Sequence, residues 1–173
     1  MSNNLSQNNI FVSMEITYRP VQDSDNKTLA AIIRRSIESF NLPSEGTAHN
    51  DPTTDNLYKL FQKPGSFYWV AVENETVLGG CGIYPSNELP EGCCELVRFF
   101  LTPEARGKGI GKQLLEKSIK TAAELGYQTI YLESFPDMKD AIRMYQQNGF
   151  ESINHALGNT GHYACNVWMV KKL

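Results

Sequence analysis

Polar and apolar residues alternate from Glu15 to Arg19 and stop at Pro20, which predicts a first strand. Leu29, Ile32, Ile33, Ile37 and Phe40 then recur at the 3.6-residue period, with Asp23 or Asp25 placed to cap the start, and predict a first helix. Residues 41–50 are rich in turn formers and carry no period, so they read as a loop. Asp51 before Pro52 is the pattern of an N-cap with proline at the first helical position. Leu57, Leu60 and Phe61 give that second helix a short apolar stripe before Pro64 and Gly65. Residues 67–72 and 76–84 read as two strands of a hairpin turning at Asn74 and Glu75, the second weakened by Gly79, Gly80 and Gly82.

A further strand is predicted over residues 95–101, where alternation sets Glu95, Val97 and Phe99 on one face and Leu96, Arg98 and Phe100 on the other. Ile110, Leu114, Leu115, Ile119, Ala122 and Leu125 mark a helix with Gly126 just past its end. Residues 128–133 form a strand pattern and 137–148 a helix closed by Gly149, and a strand pair is expected around residues 150–153 and 163–170. The order βααβββαβαββ implies an α/β (α+β) domain: a mixed central sheet with helices on both faces. Residues 1–13 lack any period and read as a flexible tail before a single domain over residues 14–173.

Between the strand at 95–101 and the next helix lie Arg106, Gly107, Lys108, Gly109, Ile110, Gly111 and Lys112. Glycine admits left-handed backbone angles and close approach of a ligand, and a helix start offers unpaired N–H groups at the positive end of its dipole. Such a turn suits a phosphate. A P-loop is excluded, because Arg106 and Gln113 stand where it needs glycine and Ser or Thr. The dinucleotide fingerprint is excluded too, since Gly107, Gly109 and Gly111 are spaced one residue too tightly.

The remaining pattern, Arg106-x-x-Gly109-x-Gly111 after a strand, strongly resembles the pyrophosphate signature of the GNAT superfamily of acetyl-CoA-dependent N-acetyltransferases. Residues 141–150, with Tyr145 ahead of Gly149 and Phe150, look like that family's later helix. The resemblance covers about residues 15–173. It implies transfer of an acetyl group from acetyl-CoA to a primary amine, either a small molecule or a peptide N-terminus, by direct attack in a ternary complex. Residues 106–112 would hold the cofactor phosphates, and a bulge near Phe99, Phe100 and Leu101 would free backbone groups for the pantetheine arm and the thioester oxygen. Tyr145 matches the family's general acid, and a phenol keeps its proton at neutral pH. Glu95 matches a strand glutamate that some members use as general base; Glu133 and then His49 are the alternatives, and water remains open. Members often carry asparagine where this chain has Met138, which leaves Asp137 or Ser134 as substitutes. The alternative from another class is a non-catalytic acyl-CoA-binding sensor or interaction module.

Composition narrows this further. Hydrophobic residues are 41% and charged residues 20% of 173, ordinary values for a globular chain, and no apolar run reaches the length of a bilayer span. A net charge of −3 gives no global case for nucleic acid or an anionic membrane. The four cysteines, including vicinal Cys93 and Cys94, match no zinc spacing, so no metal is expected; with no signal peptide in view, they read as reduced thiols of a cytoplasmic protein. A homodimer is kept only as the commonest assembly. The acceptor is expected among the segments 41–50, 83–93 and 153–163, whose Glu45, His49, Glu88, Glu91 and His155 are mildly acidic.

Overall fold

The alternating segment that opens the domain forms β1 (Ile16–Pro20) in a computed structural model that describes residues 15–173. The tail expected over residues 1–13, and Met14 after it, lie outside the described residues. The other elements are α1 (Asn26–Ser39), α2 (Leu57–Leu60), β2 (Phe67–Glu73), β3 (Thr76–Tyr84), β4 (Cys93–Leu101), α3 (Ile110–Glu124), β5 (Thr129–Ser134), α4 (Lys139–Gln147), β6 (Glu151–Ile153) and β7 (Val167–Lys172). The expected order of elements is the observed one.

The seven strands make one sheet in the order β1-β2-β3-β4-β5-β7-β6, antiparallel except for the β4–β5 pair. That single parallel pair needs a crossover, and α3 supplies it. Alternation along β2 sends Tyr68, Val70 and Val72 to one face, where Leu29, Ile33 and Ile37 of α1 and Leu57 of α2 cover them. Ala71 faces the opposite side, with Cys81, Leu96, Ile130 and Leu132 under Ile110, Leu114 and Leu115 of α3 and Tyr145 of α4. Each such fully buried aliphatic side chain contributes about 1.5–3 kcal/mol.

The caps behave as their chemistry dictates. Asp51 Oδ1 accepts the N–H of Thr53 at 2.8 Å, opening a short 3-10 turn (Pro52–Asn56) that leads into α2. Asp25 precedes α1 but makes no side-chain cap, because Arg19 grips both its oxygens at 2.7 and 2.9 Å. Gly126 and Gly149 take φ of 87° and 82° and end α3 and α4. β7 begins at Val167 rather than near 163, since His162 and its neighbours turn away to meet other loops.

One expectation fails at β4. Gly80 pairs with Phe100 and Gly82 with Val97, so Arg98 and Phe99 are squeezed out of the ladder as a bulge, with Arg98 at φ 53°. The extra residue flips the alternation. Val97 and Phe100 pack on the α1 face, and Phe99 joins Leu96 and Leu101 on the other, so Glu95, Val97 and Phe99 do not share a face. The glycines of β3 make room for this: a Cβ on Gly80 would lie 2.3 Å from the Tyr68 ring. Tyr68 in turn donates its hydroxyl to the Arg98 carbonyl at 2.8 Å.

Candidate active site

β4 and β5 pair only from Cys93↔Thr129 to Leu96↔Leu132, although β4 continues to Leu101 and β5 to Ser134. The two strands part beyond that point, and two cavities occupy the opening. The larger, of about 620 Å³, is lined by Phe99, Phe100, Leu101, Arg106, Gly107, Gly109, Gly111, Lys112 and residues of α4. The smaller, of about 80 Å³, is lined by residues that include Glu95, Arg98, Glu133 and His162. Phe99, Phe100, Met138 and Tyr145 line both.

The larger cavity ends at the glycine turn. Gly107 and Gly109 adopt φ of 72° and 79°, and a Cβ on either would meet nothing within 4 Å. Gly109 is the N-cap of α3, so the first N–H groups of a 15-residue helix face outward without intrahelical acceptors. This cradle fits an anion of the size of a pyrophosphate. Lys112 lines it, while Lys108 is exposed and does not. Ile110 gives the turn only its backbone, since its side chain is in the core. The Arg106 guanidinium is turned back, donating to Leu101 O at 3.1 Å and to Ser36 Oγ at 3.3 Å and lying over the Phe40 ring.

Tyr145 sits where the cavities meet. Gly149 ends α4 so that the Phe150 N–H returns to the Tyr145 carbonyl at 3.0 Å, and the rings of Phe150 and Phe99 flank the phenol at 5.8 and 6.2 Å. Burial pushes its pKa far above the ordinary tyrosine value. It therefore holds its proton. Met138 stands at the N-cap of α4; Asp137 lines the larger cavity and Ser134 the smaller.

Glu95 and Glu133 approach the smaller cavity from adjacent strands. Glu95 is 2% exposed, with Ser86 Oγ donating to Oε2 and His162 Nδ1 3.8 Å from Oε1. Glu133 accepts from Tyr131 Oη at 2.7 Å and Thr160 Oγ1 at 2.9 Å, and burial together with the charge of Glu95 raises its pKa.

His162, Asp51 and Arg98 complete this end, and none of the three was among the sequence-level site residues. Arg98 Nη2 lies 2.6 Å from Asp51 Oδ2 and Nη1 lies 2.9 Å from His162 Nε2. A guanidinium only donates, so when His162 is neutral Nε2 accepts in this contact and the ring proton is on Nδ1, toward Glu95. Burial lowers the His162 pKa, but the carboxylates of Asp51 and Glu95 outweigh it and bring it to about 9. A proton added at Nε2 finds Asp51 Oδ2 3.7 Å away. His162, Thr53 and the charge of Arg98 hold Asp51 far below the ordinary carboxylate range against the cost of burial. The alternation rule separated Arg98 from Glu95; the bulge instead brings both to the same imidazole.

Two expectations need correction. His49 does not line either cavity, because Glu38 and Asn50 take its two ring nitrogens at 2.8 and 2.9 Å. The three segments expected around the acceptor do come together, with Ala164 N, just past the third, on Gly46 O at 3.2 Å and Asn159 N on Asn87 O at 2.9 Å. Glu45, Glu88, Glu91 and His155 line neither cavity, however, and the acidity comes from the strand residues Glu95 and Glu133. Cys165 also lines the smaller cavity, and burial with the charges of Glu133 and Glu95 pushes its thiol up to about 12.

Among the described residues, no helix is long and apolar enough to cross a membrane. The model of the acetyltransferase (GNAT) family matches residues 34–150. An uncharacterised N-acetyltransferase of Escherichia coli, YjgM, is 38% identical over 150 residues, covering 86% of this chain and 90% of its own length. N-acetyltransferase 8B of Rattus norvegicus is 35% identical over half of this chain and 40% of its own. Among solved structures, an acetyltransferase of the same family from Staphylococcus aureus superposes with a TM-score of 0.82 at 24% identity, over 92% of this chain and 99% of the other. YncA of Salmonella typhimurium, solved with its cofactor acetyl-CoA, gives 0.73 at 20% identity over 92% and 94%.

Proposed function

Since the chain belongs to the acetyltransferase (GNAT) family and is an acetyl-CoA-dependent acyltransferase, we propose that it acetylates a primary amine by direct attack in a ternary complex. The observation that carries this reading is the junction of the two cavities at Phe99, Phe100, Met138 and Tyr145. One cavity runs to the phosphate cradle, the other to a pair of carboxylates.

Acetyl-CoA supplies the activated acetyl group as a thioester. The residues around it do the rest. The turn from Gly107 to Lys112 holds the pyrophosphate by backbone N–H groups, and the unpaired outer edge of β4 beyond Leu96 receives the pantetheine amides as an added strand would be received. The bulge at Arg98 and Phe99 frees backbone groups of β4 to polarise the thioester oxygen.

Glu95 takes a proton from the incoming amine, with Glu133 beside it as the second acceptor. As the new C–N bond forms and the C–S bond breaks, Tyr145 gives its proton to the departing thiolate. The high pKa of Cys165 leaves its thiol protonated and a poor nucleophile, which favours direct transfer over an acetyl-enzyme. Initial rates with both substrates varied test the order of events. Intersecting double-reciprocal lines are expected; parallel lines, the mark of a covalent intermediate, would overturn direct attack.

A further inference from the structure

The smaller cavity carries an unequal distribution of open hydrogen-bonding capacity. Its lining cations, among the described residues, are Arg98 and His162, and both are committed elsewhere. Arg98 turns Nη1 to His162 and Nη2 to Asp51 and Thr53, and its Nε is sealed away without a partner. The two ring nitrogens of His162 face Arg98 and Asp51 on one side and Glu95 on the other. Even with His162 charged, three carboxylates (Asp51, Glu95 and Glu133) stand against two cations.

The acceptors are less saturated. Each oxygen of Glu133 receives one hydroxyl donor, and Glu95 receives Ser86 on one oxygen with His162 at longer range from the other. A carboxylate oxygen has two lone-pair sites, so both side chains can take further donors from the cavity. An ammonium entering here meets two carboxylates. A carboxylate entering here meets like charge and no uncommitted cation, only the neutral hydroxyls of Ser134 and Tyr145 being open to it, which costs affinity. The remaining walls include Ile37, Leu42 and Phe135, and the space is narrow, about 80 Å³.

Resting on the acetyltransferase reading, we propose that the acceptor is a primary aliphatic amine with an unbranched methylene next to nitrogen and no carboxylate beside it, and that the pair Glu95 and Glu133 rejects free α-amino acids. The cavity selects by charge first and by width second.

Three probes separate these effects: pentan-1-amine, 2-aminohexanoate, which adds only a carboxylate beside the amine, and 2-aminohexanamide, which adds a neutral group of similar size. Each is titrated into the CoA-bound protein by calorimetry and offered as acceptor with acetyl-CoA. Pentan-1-amine should bind at least about tenfold tighter than 2-aminohexanoate, with the amide between them. Glu133→Gln should narrow the amine-to-acid ratio.

Equal or tighter binding of 2-aminohexanoate would overturn the proposal. So would an amide as poor as the acid, since branching and not charge would then be excluding both. Failure of all three to bind the CoA-bound protein would overturn it as well, and so would a ratio unchanged in Glu133→Gln. Preferential binding of pentan-1-amine without turnover of any amine would instead support the proposal and sink the acetyltransferase reading.

Discussion

Tyr68 donates its hydroxyl to the carbonyl oxygen of Arg98 across 2.8 Å, from β2 past the glycines of β3 to the bulge of β4. The phenol therefore holds in place the one backbone irregularity on which both cavities depend. Tyr68→Phe removes the donor and leaves a buried carbonyl unpaired, which costs about 1–3 kcal/mol. Denaturant midpoints should show that loss, and the KM for acetyl-CoA should rise as the bulge relaxes. A loss of stability with an unchanged KM would mean that the bulge does not shape the thioester end.

At the other end of the larger cavity, Gly109 takes φ 79° over open space. Gly109→Glu adds a strained Cβ and a negative charge at the proposed phosphate site. Calorimetry with CoA should show no binding by a variant whose circular dichroism is still that of the folded protein. Retained affinity would place the phosphates elsewhere.

Tyr145→Phe keeps the ring between Phe99 and Phe150 and removes only the proton. Turnover should fall on the order of 10²-fold, the usual scale for a lost general acid, while the KM for acetyl-CoA stays nearly constant. Full activity in this variant would take the acid role from Tyr145.

His162 links the charge of the smaller cavity to stability. Its pKa rises from the ordinary 6.5 to about 9 on folding, so the folded protein holds that proton more tightly than the unfolded chain. The contribution is fully present below about pH 6.5 and is lost as pH rises through about 9, on the order of 3 kcal/mol in all. Thermal unfolding of the protein and of His162→Gln across that window should converge as pH rises. A constant gap would mean that the imidazole does not titrate between Asp51 and Glu95.

The order of elements and the glycine turn were legible in the sequence because their signals are local. Strand alternation, helix periods and glycines at fixed offsets each lie within a few residues of one another. The carboxylate-lined smaller cavity was not legible, for two physical reasons. A one-residue bulge inverts alternation, so counting along residues 95–101 misplaces Phe99 and separates Arg98 from Glu95. The partners of Arg98 come from distant loops, Asp51 before α2 and His162 before β7. Asp51 was readable as a cap through Oδ1, yet its second oxygen holds Arg98, and no local pattern encodes that. His162 carries no spacing signal at all; only the convergence of the loops picks it over His155 and His49.

Thiol release from acetyl-CoA across a panel of primary amines tests most directly the claim that the joined cavities carry out acetyl transfer. At least one aliphatic amine should be acetylated well above the rate of acetyl-CoA hydrolysis, and Glu95→Gln should lower that rate. A protein that binds CoA tightly but acetylates no amine above background would be an acyl-CoA-binding module instead, and would contradict the account.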